Sequence, residues 1–387
     1  AVGDGITRRL APRPQGETMS YLRAVPSDSD LPSRSGSAAS VRVEAPGKVN
    51  LFLSASAPGT DGYHPLTTVF QAVRLIETVT ARRQAADAIG AITLTLEEPD
   101  PAVPTGEDNL AVAAARLLAA ATGVTEGVDL LVRKRVPVAG GMAGGSADAA
   151  GTLLACNQLW GTGLAPDHLM SLARHLGADV PFPLLGGSAL GTDRGDELSP
   201  LMTRGTYHWV LALQDRGLPT PLVFRRLDEL RGPGAAPEAP VAPEAPVAPE
   251  VPAAPAGPEP ASTRDVPPAS GLTPQPDART RASAPDPVPP ALTAALRAGD
   301  AHALAQVMRN DLEAAALDLR PELADVIDVA QASGALRAMV SGSGPTVAAL
   351  VTDMATAQRV SRALTASGVC SGVLRVDAPV AGARVVG

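Results

Sequence analysis

Apolar and polar residues alternate through Val41-Arg42-Val43-Glu44-Ala45, and a more continuous apolar run follows through Val49, Leu51, Phe52 and Leu53. The alternation predicts a strand. Lys48 and Asn50 interrupt the apolar run at a spacing of two, so on a continuing strand they point to one side. A solvated strand face is the ordinary alternative. Further strands are predicted at residues 70–79, 92–96, 128–132, 207–213, 338–340 running on to 351, and 373–376. Helical spacing appears at 110–122 and 166–176, in a short segment ending at Arg231, and at 292–308, 321–333 and 355–367. Gly123, Gly177, Gly334 and Gly368 stand where helices of this kind stop. Strands mixed with helices in this order suit an α+β fold, with helices on an antiparallel sheet.

The segment Pro137-Val138-Ala139-Gly140-Gly141-Met142-Ala143-Gly144-Gly145-Ser146 breaks the pattern, with four glycines in six positions before an alanine-rich stretch. It reads as a glycine loop feeding a helix start, where unpaired N–H groups suit a phosphate. Ser146 and Asp148 are good capping types near that start. No lysine follows as in a P-loop, and the spacing is not that of a dinucleotide fingerprint. A tight turn before a buried helix fits the loop equally well. The preceding Arg133-Lys134-Arg135 reads as a solvated strand end or as help for an anion.

Two stretches lack hydrophobic periodicity. Residues 1–40 are rich in Ser, Pro, Arg and Gly and are expected to be a disordered leader, with Met19 a possible start. Residues 232–290 are dominated by Pro, Ala, Glu and Val and read as an extended insertion, not a further domain. The 387 residues allow about two domains, and with aromatics at 2% the core must rest on Ala, Val and Leu. The net charge of −8 argues against a nucleic-acid partner. No apolar run reaches membrane-spanning length and no secretory signal is evident, so a soluble cytoplasmic protein is expected. Cys156 and Cys370 are too few for a disulfide framework, and Cys156 reads as a small core residue.

Candidate chemistry outside the loop is sparse. Tyr63 and His64 share one turn, and Asp179 lies in a mostly apolar loop, where a buried acid needs a partner. Pro46-Gly47-Lys48-Val49-Asn50-Leu51, the glycine loop and Ser341-Gly342-Ser343-Gly344-Pro345, in that order, resemble the GHMP small-molecule kinases. Asp61-Gly62-Tyr63-His64, Gly177-Ala178-Asp179-Val180-Pro181-Phe182 and Asn310-Asp311-Leu312-Glu313 are similar to the branch whose substrate alcohol carries cytidine diphosphate, a step of non-mevalonate isoprenoid synthesis.

The resemblance implies two domains: an N-terminal ribosomal-protein-S5-like one over 41–192 and a C-terminal ferredoxin-like one over 193–387, interrupted by 232–290. It implies ATP and Mg²⁺, with a small-molecule substrate; a homodimer is open, and no metal ligand is assigned. By matching position, Asp179 would be the base and Lys48 the cation beside it. Residues 137–146 would wrap the ATP phosphates. Tyr63 and Phe224 would sandwich the base, His64 would read its edge, and Asn50 and Thr220 would touch substrate. Ala143, Ala147 and Gln214-Asp215-Arg216 depart from the residues more usual in relatives. The rival readings are a GHMP kinase for a different alcohol, a nucleotide-binding regulator without catalysis, and an interaction protein built around the Pro-rich segment.

Overall fold

The computed structural model describes residues 39–84, 89–232 and 284–386. The expected leader, Met19 and nearly all of the Pro-rich segment lie outside the described residues. The described residues form one compact unit.

The chain opens with an antiparallel pair, β1 (Ser40–Ala55) and β2 (Leu66–Arg83). Then come β3 (Ile92–Leu96), α1 (Leu110–Thr122), β4 (Val128–Arg133), α2 (Gly144–Trp160), α3 (Pro166–Leu176) and the short α4 (Pro181–Leu185). β5 (Ser188–Thr192), β6 (Glu197–Leu201), β7 (Tyr207–Leu213) and α5 (Thr220–Arg231) lead to the Pro-rich segment. Beyond it lie α6 (Pro290–Ala298), α7 (Ala301–Val307), β8 (Arg309–Asn310), α8 (Glu313–Leu319), α9 (Glu322–Ala332), β9 (Arg337–Val340) and β10 (Val347–Val351). The chain closes with α10 (Met354–Ser367), β11 (Gly372–Ala378) and β12 (Arg384–Val385).

Two sheets result, and their strands explain three cores. The first runs β12-β1-β2-β4-β3, with β5 added along β2, β6 along β5 and β8 along β1. The second runs β11-β7-β10-β9. The β1–β2 register shifts between Pro46 and Gly47 and again between Asn50 and Phe52. Proline has no N–H for the ladder, so a break there is natural. The shifts let one strand serve different cores. Val41 and Val43 pack with α1, α2 and α3, whereas Val49 and Leu51 pack with Trp209, Leu211 and Leu350 of the second sheet. The other face of that sheet places Val210, Ala212, Val347 and Ala349 under α5, α8, α9 and α10. This is the period-two division of a strand buried on both faces. The Trp209 indole N–H donates to Gln71 Oε1 at 3.1 Å, satisfying a buried polar group across the two sheets.

The α+β expectation holds, with local corrections. The single helix expected over 292–308 is two helices. Gly299 takes φ 71°, and the Asp300 carboxylate accepts from Ala303 N–H at 3.0 Å to start α7. The apolar spacing continues across this break and hides it. Gly186–Gly191 holds the start of a strand, β5, rather than only a close-packing segment. α8, β6, β8 and β12 carried no periodic signal, the two-residue strands being too short to show one.

Candidate active site

Lys48 and Asn50 do share a side of β1, and that side is not solvated. The Lys48 ammonium donates to Asn50 Oδ1 at 2.8 Å, Asn50 Nδ2 donates to Thr68 Oγ1 at 2.9 Å, and Thr68 donates to the Phe52 carbonyl at 2.8 Å. This chain fixes a lysine whose side chain is only 5% exposed. Its Nζ lies 5.6 Å above the centre of the Phe70 ring. Phe182 packs on Phe70 with ring centres 4.9 Å apart. Phe182 belongs to α4, where Pro181 suits the first turn. The apolar contact therefore sets the loop just before α4, and Asp179 comes to 3.7 Å from Lys48 Nζ. The Asp179 side chain is 40% exposed, which corrects the expectation of a buried acid and leaves it open to a ligand.

The glycine loop closes the site from the other side. Lys48 N–H donates to the Met142 carbonyl at 3.1 Å. Met142 itself is buried in the core, so its side chain is an anchor and only its backbone faces the loop. Val138, Ala139 and Gly145 are exposed, while Pro137, Gly141, Ala143 and Ser146 are half-buried and Gly140 and Gly144 buried. A methyl group on Gly141 would lie 2.2 Å from the Ser341 carbonyl oxygen, and Gly141 also has φ 73°. One on Gly342 would lie 3.0 Å from Lys48 Nζ and from the Gly141 carbonyl. The loops at 139–146 and 341–344 thus meet backbone to backbone beside the lysine.

The residue capping α2 is Ala143, at φ 60° and with no side-chain cap bond, which corrects the expectation for Ser146 and Asp148. The first N–H groups of α2 are left for a ligand. Asp148 turns inward instead and pairs with Lys134 at 2.5 Å. Lys134 also pairs with Glu77 at 2.7 Å, and Glu77 accepts from the N–H groups of Arg135 and Val136 at 2.9 and 3.1 Å. Lys134 is therefore no solvated strand end. Two buried carboxylates share one ammonium. Burial, then the Glu77 charge, pushes the Asp148 carboxyl up to about 7, against the pull of Lys134. Burial likewise raises Glu77. Lys134 is raised because the two carboxylates outweigh the burial that would lower it. The triad ties β2, the entry to the loop and α2 together beneath the glycine-loop backbone.

The remaining candidates lie along α5. Thr220 Oγ1 is 2.8 Å from Ser343 Oγ. One turn on, the Phe224 ring lies 4.6 Å from the His64 ring. A turn further, the Asp228 carboxylate accepts from His64 Nε2 at 2.9 and 3.1 Å. A carboxylate accepts, so Nε2 is the donor of this pair. Thr220, Phe224 and Asp228 are spaced by four and share a helix face. Tyr63 is 56% exposed, and the Arg194 guanidinium lies 3.8 Å from its ring centre. Arg194 also pairs with Asp61 at 3.0 Å.

Sequence reasoning missed Asp228, Arg194 and the Glu77–Lys134–Asp148 triad, and named Ser343 only as part of the Ser341–Pro345 motif. Only Asp228 left a usable signal, its spacing from Thr220 and Phe224. The others are fixed by contacts between distant segments.

Residues 109–187 match the GHMP kinases N terminal domain, and residues 292–370 match the GHMP kinases C terminal region. A protein named 4-diphosphocytidyl-2-C-methyl-D-erythritol kinase from Leifsonia xyli subsp. xyli (strain CTCB07) is 44% identical over 346 residues, covering 89% of this chain and 98% of that one. The chain belongs to the GHMP kinases. A crystal structure of a 4-(cytidine 5′-diphospho)-2C-methyl-D-erythritol kinase matches this GHMP kinase with a TM-score of 0.61 at 29% identity, covering 88% of this chain and 99% of that one. A homoserine kinase from Cytophaga hutchinsonii ATCC 33406 superposes with a TM-score of 0.60 at 19% identity, covering 91% of this chain and 99% of that one, a likeness of fold alone. The overall fold therefore does not separate one alcohol substrate from another. No helix among the described residues is long and apolar enough to cross a membrane.

Proposed function

We propose that this GHMP kinase transfers the γ-phosphoryl group of ATP to the C2 hydroxyl of 4-diphosphocytidyl-2-C-methyl-D-erythritol, a step toward isoprenoid precursors. The observation that carries the reading is the separation of two sites by a fixed length. On α5, Thr220 lies at the phosphate-side loop and Asp228 at His64, eight residues on. At a rise of about 1.5 Å per residue this spans about 12 Å. Along β2, Leu66 beside the Tyr63–His64 loop and Phe70 beneath Lys48 are four residues apart. At about 3.3 Å per residue that is about 13 Å. Such a span suits an alcohol joined to a base through a diphosphate, and leaves the base end idle for homoserine or mevalonate.

Asp179 accepts the proton of the substrate hydroxyl as phosphorus–oxygen bonding forms. Lys48, held by Asn50 and Thr68, offsets charge on the phosphoryl oxygens as the bond to ADP breaks. The uncapped N–H groups of α2 and the loop at 139–145 bind the ATP phosphates. The exposed face of Tyr63, with Phe224 and His64, receives cytosine. Mg²⁺ would be held mainly by phosphate oxygens and water. The half-buried Ser146 hydroxyl at the start of α2 is the protein oxygen that would hold it beside the phosphates. When bound, the ion neutralises phosphate charge. Assignment to the cytoplasm and a homodimer belong to the same proposal.

The test is ADP release with ATP and Mg²⁺, comparing the cytidylated alcohol with the same alcohol lacking the cytidine group. Turnover is expected with the first only. Turnover of homoserine or mevalonate in its place would overturn the substrate assignment. Asp179→Asn should lower kcat about 10²–10⁴-fold with little change in KM, and near-normal kcat would remove Asp179 as the base.

A further inference from the structure

The loop bearing Tyr63 and His64 is also held by the β5–β6 turn. β5 and β6 are joined by a tight turn in which Asp193 and Gly195 take φ 60° and 94°. The Asp193 carbonyl accepts from Leu66 N–H at 2.6 Å, which docks the turn at the base of the loop. Arg194 is thereby projected over Tyr63, with its guanidinium carbon 3.8 Å from the ring centre. Its Nη2–H donates to Asp61 Oδ2 at 3.0 Å. Asp61 in turn accepts from Tyr63 N–H at 3.0 Å through Oδ1. Its carboxyl is held below the usual range, chiefly by that backbone N–H, which together with the lesser pull of Arg194 outweighs the opposing effect of burial. Asp61 thus ties the guanidinium and the ring that it covers to one anchor.

Two consequences follow from chemistry. A guanidinium against one face of Tyr63 leaves the opposite face for a planar base. Guanidinium also has five N–H donors in one plane, and among the described residues Asp61 alone takes a hydrogen bond from it. The Arg194 side chain is 44% exposed, so further N–H groups are open to solvent at the edge of the base site. Planar paired donors match phosphoryl oxygens.

We propose that Arg194 is a specificity-determining residue that binds the diphosphate of the cytidine-bearing substrate while backing Tyr63. The proposal rests on the base-site reading above. It places the cation for the substrate's own diphosphate on the β5–β6 turn, apart from the glycine loop that takes the phosphates of ATP. The residue then selects for a diphosphate-linked alcohol over one with a bare base or no phosphate.

Calorimetric titration of the full chain with cytidine and with CDP, with ADP present to fill the glycine loop, tests it. The wild-type protein should bind CDP more tightly than cytidine. Arg194→Gln should weaken CDP by about tenfold or more and lower the CDP-to-cytidine affinity ratio, as loss of a charged hydrogen bond does. Arg194→Lys, which keeps the charge but not the fork, should restore part of that ratio. An equal loss for both ligands would show that Arg194 acts only by propping Tyr63, and no loss for either would show that it does not act on the ligand. Both results overturn the proposal. Wild-type protein that binds neither ligand would overturn the base site itself, a failure distinct from that of Arg194.

Discussion

The two ends of the proposed site, one for the ATP phosphates and one for the cytosine base, are built from different materials. At the phosphate end, Gly141 and Gly342 sit where no side chain fits, and loop meets loop through backbone atoms. At the base end, Arg194, Asp61, His64, Asp228 and Phe224 hold the Tyr63–His64 loop through side chains. Backbone N–H groups present the same chemistry whatever residue carries them, so the first end tolerates Ala143 and Ala147 but no intrusion of volume. Side-chain tethers can be exchanged one at a time, so the second end is where substrate choice can be tuned.

The comparison is broken most severely at Gly141. Gly141→Ala forces a methyl group to within 2.2 Å of the Ser341 carbonyl at φ 73°. It should cost about 3 kcal/mol or more and abolish ATP turnover. Chemical denaturation with an ADP-release assay checks this, and a stable, active variant would refute the backbone contact.

The next effect lies beneath the same loop and depends on pH. The Asp148 carboxyl is raised from 3.8 to about 7, so the folded chain holds a proton that the unfolded chain releases. Its contribution to stability is complete below about pH 4 and is lost as pH rises through about 7. Relative to Asp148→Asn, the wild-type protein should lose stability across that window, by a few kcal/mol at most. Thermal melts of the two proteins from pH 4.5 to 8 measure it. A constant difference in Tm would show that Asp148 is ionised throughout.

At the base end, Asp228→Ala removes the partner of His64 Nε2. A loss of about 1–2 kcal/mol in stability is expected, together with a higher KM for the cytidylated alcohol and an unchanged KM for ATP. A rise in both KM values would mean that α5 acts on the whole cleft rather than on the base end. The smallest effect is Ala143→Gly. Ala143 holds φ 60° at the start of α2, so glycine should relieve strain and raise stability by at most about 1 kcal/mol. A marked loss of stability would show that the alanine methyl is itself needed there.

Much of this was legible in the chain. The alternation of residues 207–213 foretold β7 with its bounds, and the spacing and terminal glycine of residues 110–122 foretold α1. The site motifs could be read because glycine runs and paired rare residues stand out locally. Lys134 could not be read, since a lysine on a strand end looks solvated until Glu77 and Asp148 arrive from elsewhere. Arg194 carried no local signal for the same reason, since Tyr63 and Asp61 reach it only in the fold.

The sequence by itself determined the periodic elements, the glycine loop and the chemical types of the candidate site residues. These are local properties: side-chain period, backbone freedom and chemical type act over a few neighbouring residues. The tertiary structure decided which of those residues meet. It brought Asp179 to Lys48 through the Phe70–Phe182 contact, set Gly342 against the lysine, and placed Arg194 over Tyr63. Each pairing joins segments far apart along the chain, and its geometry exists only once the two sheets and their helices have packed.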